Sequence, residues 1–166
     1  MQEMNLGFVD ESVPPKFSSL IDHDAPAHGV QYEKISWVRA GDIPELNDHE
    51  GKLAIFAGKD RYNLIDPNDI KQGVMPDCSL LSALSALAEF PDRVRSLFKT
   101  DQYNSQRLWC VSLFKNGKPK LVFMDDYIPC LGNVHGQPSP CFSSAVGNEL
   151  WVIMVEKAFA KLHGTY

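Results

Sequence analysis

A cysteine at the start of an apolar helix is the side chain here with the most chemistry in reach. Residues 78–89 run Cys-Ser-Leu-Leu-Ser-Ala-Leu-Ser-Ala-Leu-Ala-Glu, apolar almost all round, and Pro91 stops the run. That pattern predicts a buried helix with Asp77 as its N-cap and Cys78 in its first turn. The free N–H groups and the dipole at that end favour a thiolate, the form of sulfur that attacks carbon. The N–H of Cys78 itself can face a developing oxyanion. Gln72, in an irregular Gly-containing loop before the helix, offers a second donor, a carboxamide that stays out of the proton chemistry. On residue type alone, Cys78 also fits a small buried hydrophobe opening a helix, and that alternative stays open.

The other reactive side chains have plainer readings. His163 falls at a helix C-terminus, where it caps, and His135 in a Gly/Pro loop. His23, His28 and His49 lie in an arm or a turn, so none of the five is assigned as a base. Asp125-Asp126 reads as a solvated strand terminus. Asp66 and Asp69 belong to Asp-Pro-Asn-Asp, ordinary turn chemistry, and Asp22-His23-Asp24 to a solvated loop. Trp37, Trp109 and Trp151 suit a core or a subdomain interface. Cys78, Cys110, Cys130 and Cys141 form no C-x-x-C pair and no zinc-like spacing with His. They predict reduced, mostly buried thiols and an intracellular, cytoplasmic setting.

The elements that must position these groups predict an α+β chain. Residues 1–31 form an extended arm, punctuated by Pro14-Pro15, Pro26 and Gly29, and a compact region spans 32–166. Trp37-Val38-Arg39 predicts a short strand, followed by a turn or brief helix. Residues 52–58 fit a strand or a buried turn. Pro67, Gly73 and Pro76 make 60–77 a loop, and 92–98 a short helix follows. Residues 106–114 and 119–124 flank Asn116-Gly117, a strong hairpin signal. A loop over 131–147 leads to a helix over 148–163, with Trp151, Met154, Val155, Ala158, Phe159 and Leu162 on one face and Gly164 after its end.

Composition bounds the function. A chain of 166 residues with 44% apolar and 22% charged residues is about one domain, able to bury roughly 68–70% of its unfolded surface without staples. A net charge of -5 excludes a general nucleic-acid binder. No apolar run approaches the ~20 residues of a membrane span, and no basic segment followed by an apolar one suggests a secretory leader.

Residues 69–78, DIKQGVMPDC, resemble the D-I-x-Q-G-x-L-G-D-C motif of calpain-type cysteine proteases. The resemblance continues through SLLSALSALAEFP, MDDYIP and GNELWVIMVEKAFAKLHGTY. At the other end, FVDESVPPKFSSL and ISWVRAGDI are similar to family segments, so nearly the whole chain matches in order. The resemblance implies the first, Cys-bearing subdomain of a papain-like core, with Cys78 as nucleophile and Gln72 in the oxyanion hole. It implies a second subdomain, in cis or in trans, that carries the His base and its Asn. It also implies a Ca2+ held by Asp69, Glu149 and backbone oxygens, one of them at Leu64. The substrates would be proteins or peptides.

Three positions depart from the family pattern. Ser79 stands where a Trp follows the nucleophile, Pro76 where a Gly precedes the Asp, and Leu64 at a Gly position. The chain stops at Tyr166, where the first subdomain ends. Without base and Asn, it is expected to be inactive alone. A calpain-like domain without protease activity, a scaffold or interaction module such as a cytoskeletal one, is the alternative.

Overall fold

The computed structural model describes residues 7–20, 32–47, 53–56, 65–73, 78–100, 102, 104–132, 135–145 and 149–164. Strand β1 (Ser36–Arg39) opens the compact region and is followed by two short 3-10 turns. Strand β2 (Ile70–Gln72) leads towards helix α1 (Cys78–Ala88), and helix α2 (Pro91–Leu97) follows with Pro91 in its first turn. Proline lacks an N–H that would be unpaired there anyway, so Pro91 starts the second helix as well as ending the first.

Strands β3 (Trp109–Lys115) and β4 (Lys118–Met124) form the hairpin that Asn116-Gly117 signals. Asn116 (φ 53°) and Gly117 (φ 71°) both take the left-handed conformation of a two-residue type I′ turn. Strands β6 (Pro138–Pro140) and β7 (Ser143–Ala145) fall within the segment expected as a loop over 131–147, and β5 (Tyr127–Gly132) runs two residues into it. Strand β2 is another such case. They pair antiparallel as β1-β5-β6 and β2-β7, each too short for alternation to show in the sequence.

Helix α3 (Trp151–His163) is the spine of the core. Residues 151–158 are buried without a break, against the inner face of the hairpin and strand β7. Trp109 and Trp151 have no exposed surface. Gly164, at φ 112°, ends the helix and donates its N–H to the Ala160 carbonyl oxygen at 2.8 Å.

Helix α1 differs from expectation. It buries only Leu81, Leu84 and Ala88, while Cys78, Ser79, Ser82, Ala83 and Ala86 are exposed. Spacings of three and four put these sets on opposite faces, so this helix has one face in the core.

Asp125-Asp126 is a second correction: both carboxylates are fully buried. Lys157 of α3 donates to Asp125 Oδ1, to the Asp125 carbonyl at 3.1 Å and to the Tyr127 carbonyl at 2.6 Å. Arg39 donates to Asp126 Oδ1 at 2.5 Å and stacks over the Tyr127 ring. Buried charges persist only when paired and hydrogen-bonded. A short local window hides partners that lie far along the chain. Burial opposes the charge on Arg39, but the Asp126 carboxylate outweighs it and raises its pKa. On Lys157 burial wins and lowers it, against Asp125.

The network also holds the chain's beginning. The Asp10 N–H donates to Asp125 Oδ2 at 2.7 Å, and Arg39 reaches the Phe8 and Gly7 carbonyls at 3.0 and 3.3 Å. Lys161 bridges Asp10 Oδ2 and the Phe123 carbonyl, each at 2.5 Å.

Candidate active site

The loop-to-helix junction is built from β2, its partner strand and the first turn of α1. Strand β2 pairs with β7 so that Gln72 lies opposite Ser143. Ser143 is anchored in turn by Glu156 of α3, whose Oε2 accepts from Ser143 Oγ at 2.5 Å and from its N–H at 3.1 Å. The buried helix therefore fixes β7, and β7 fixes the strand that carries Gln72. Neither Ser143 nor Glu156 is singled out in the sequence. A lone carboxylate inside the apolar run LWVIMVEKAF was the available signal.

Gly73 explains the glycine after Gln72. Its N–H donates to the Phe142 carbonyl. A Cβ there would run into the Phe142 carbonyl oxygen and lie 2.5 Å from that of Cys141. Two backbones approach too closely for any side chain, so only glycine fits.

Helix α1 packs beside β2 and the turn at 67–69. Cys78 is its first residue and is exposed, and Gln72 at the end of β2 is exposed too. Asp77, the expected N-cap, lies with Pro76 outside the described residues. The Cys78 carbonyl accepts from Ser82 Oγ at 2.7 Å. The other three cysteines are buried free thiols. Burial raises the pKa of Cys110, that of Cys130 to about 12, and that of Cys141 as well. Cys130 and Cys141 are further held by the Ile128 and Pro129 carbonyls.

His163 closes α3, stacked on Phe159 with its Nδ1 2.9 Å from the Phe159 carbonyl oxygen, a cap on its own helix. His135 is exposed in the turn between β5 and β6.

For the expected cation, Glu149 is buried just before α3, and its Oε2 accepts from Trp151 Nε1 at 2.9 Å. An oriented buried carboxylate of this kind suits a hard cation. Leu64 and the side chain of Asp69 lie outside the described residues. Among the described residues, no three His, Cys, Asp or Glu side chains gather into a metal group.

A model of the calpain family of cysteine proteases matches residues 8–166. The calpain-type cysteine protease DEK1 of Arabidopsis thaliana is 36% identical over 160 residues, covering 96% of this chain and 7% of its own length. The DEK1 calpain-type cysteine protease of Zea mays is 34% identical over 161 residues, with the same 96% and 7% coverage. Calpain-13 of Rattus norvegicus is 29% identical over 163 residues, covering 96% of this chain and 22% of its own length. The chain belongs to the calpain family of cysteine proteases and forms a protease-core domain of helices and small antiparallel sheets. It spans less than a quarter of each of these relatives. Among the described residues, no helix is long and apolar enough to cross a membrane.

Proposed function

We propose that this chain is the nucleophile-bearing half of a papain-like, calpain-type endopeptidase. Cys78 attacks the scissile carbonyl carbon, and the oxyanion is met by the Cys78 N–H and the Gln72 carboxamide. The cysteine proton passes to a His on the second subdomain, held by its Asn, and leaves with the amine. Water then hydrolyses the thioester. The observation that carries this reading is the exposure of Cys78 at the first residue of α1, where the other three cysteines are buried. The exposed stripe of α1 that begins at Cys78 is where the second subdomain would close the cleft. Residues 1–31 act as an arm, and 32–166 as the subdomain proper.

Glu149 and Asp69, with a backbone oxygen at Leu64, would hold the Ca2+. The free thiols suit a reducing, cytoplasmic compartment. The inactive, scaffold-like alternative rests on Ser79, exposed where the family has a Trp.

The test uses the complete protein that contains this chain, with Ca2+ and a peptide substrate. Cys78→Ala abolishes turnover, and Gln72→Ala lowers kcat by roughly 10²–10³. Turnover unchanged by Cys78→Ala, or absent from the unmodified protein, would leave the scaffold reading.

A further inference from the structure

An oxyanion donor works only where it is held in place, since a shift of about 1 Å can cost on the order of 10²-fold in rate. Strand β2, which carries Gln72, is three residues long. A two-stranded ribbon of that length is marginally stable by itself in water. The precision that Gln72 needs must come from what stands behind the partner strand, β7.

Two sets of contacts converge on the rung at Gln72. On the sheet side, the Gly73 N–H donates to the Phe142 carbonyl. Gly73 and Phe142 therefore belong to a hydrogen-bonded pair, and the next pair, Gln72 and Ser143, to a non-hydrogen-bonded one with Cα atoms about 4.5 Å apart. In such a pair the backbone N–H groups point away from the partner strand. The Ser143 N–H accordingly faces α3, where Glu156 Oε2 accepts from it at 3.1 Å and from the Ser143 hydroxyl at 2.5 Å. Ser143 is 1% exposed and Glu156 4%. Bonds from neutral donors to an ionised oxygen are stronger than neutral ones, and a carboxylate this far from water depends on them.

We infer that Glu156, acting through Ser143, is a positioning residue that sets the Gln72 carboxamide for the oxyanion. The inference rests on the oxyanion-hole reading of Gln72 and adds the residues that give that donor its place. The register makes it specific. Both bonds from Glu156 fall on Ser143, the β7 residue directly opposite Gln72. Opposed residues of this kind have Cβ atoms about 4.5–5.5 Å apart on one face, so a move of Ser143 is passed straight to Gln72. Cys78 is placed by another element, helix α1, which is anchored in the core by Leu81, Leu84 and Ala88. A fault at Glu156 thus misplaces the oxyanion donor and leaves the sulfur where it is.

A double-mutant cycle between Glu156 and Gln72 tests it, by steady-state kinetics of the complete protein that contains this chain, with Ca2+ and a peptide substrate. Glu156→Leu is expected to lower kcat roughly tenfold to a hundredfold and to change KM less than about twofold. Glu156→Gln keeps an acceptor oxygen and lowers kcat less. In the Gln72→Ala background, Glu156→Leu costs less than about a further twofold, because the group it positions is gone. A role in stability alone would lower turnover by the same factor in both backgrounds, and that result overturns the inference. Where Glu156→Leu does not fold, Ser143→Ala takes its place in the cycle with the same expectations. Unchanged kcat in Gln72→Ala overturns the oxyanion-hole reading itself, and this inference with it. A second measurement needs no turnover: in the chain in solution, the side-chain amide resonances of Gln72 shift with Ser143→Ala and with Glu156→Gln. Resonances that stay in place overturn the inference even where Cys78→Ala and Gln72→Ala abolish activity.

Discussion

Helices α1 and α3 exchange the roles that their residue types suggest. The first carries no charged residue from Cys78 to Ala88, yet one whole face is exposed. The second carries Glu156 and Lys157 in its middle, yet both are buried. Composition ranks residues by their cost of burial, but partners decide whether that cost is met. In α3 the partners exist: Asp125 for Lys157 and Ser143 for Glu156. In α1 the outer face has only small side chains and nothing described that covers it. An apolar helix with an open face beside an exposed cysteine leaves a surface that the proposed second subdomain would cover. In α3 the buried lysine has its counter-charge and the buried glutamate has two donors from Ser143.

The contrast can be broken at Lys157. Lys157→Met leaves the Asp125 carboxylate buried without its counter-charge, expected to cost about 3–5 kcal/mol. It is read as a lower urea midpoint at unchanged slope. A loss below about 1 kcal/mol would mean that water reaches this site and that α3 is not the sealed helix. Next in size is Gly73→Ala. The added methyl meets the Cys141 and Phe142 carbonyls, expected to cost about 1–3 kcal/mol. Because the strain falls on β2, hydrogen exchange should rise at Gln72 and Gly73 before the core opens. Exchange that rises equally everywhere would argue against this placement of the damage.

Much of the fold is legible in the sequence, for reasons that differ by element. The β3–β4 hairpin is plain because its turn residues and flanking alternation lie within about twenty residues. Cys78 stands out because a reactive residue type falls at a helix start, and the structure places it there, exposed. The short strands β2, β6 and β7 escape because three residues carry no period, and their pairing depends on partners dozens of positions away. Asp125 and Asp126 read as solvated for the same reason, since Lys157 and Arg39 come to them only through the fold. The exposed face of α1 was equally out of reach: Ala83 and Ala86 suit burial, and only geometry shows them uncovered. The candidate residues are local in the sequence and therefore visible; the supports behind them, from Glu156 to Ser143 to β2, are long-range.

Asp10 gives a smaller effect with a pH signature. Burial raises the pKa of its carboxyl, but the bonds from Lys161 and Ser12 outweigh that and hold it below the ordinary 3.8. A carboxyl whose folded pKa is depressed adds stability that is present above its unfolded value and is lost as pH falls through the folded one. Asp10→Asn should therefore lower the thermal midpoint near neutral pH and flatten its fall below about pH 4. Equal slopes for both proteins in that acid range would show that Asp10 is not the group that ties the amino-terminal segment to α3.

The smallest stability effect belongs to the open face of α1, and it separates the two helices most sharply. Ala86→Lys puts a cation on the exposed stripe of α1, where a surface change stays within about 0.5 kcal/mol. The same change at Ala158, buried in α3, introduces an unpaired charge among apolar neighbours and should unfold the chain. Urea titrations of the two variants measure this directly. If the stripe also seats a second subdomain, Ala86→Lys gains a further effect in the complete protein. Turnover falls while the stability of this domain stays put, because the cation sits in the proposed interface. Normal turnover with Ala86→Lys, alongside loss of turnover with Cys78→Ala, would place the second subdomain elsewhere and leave the nucleophile assignment standing.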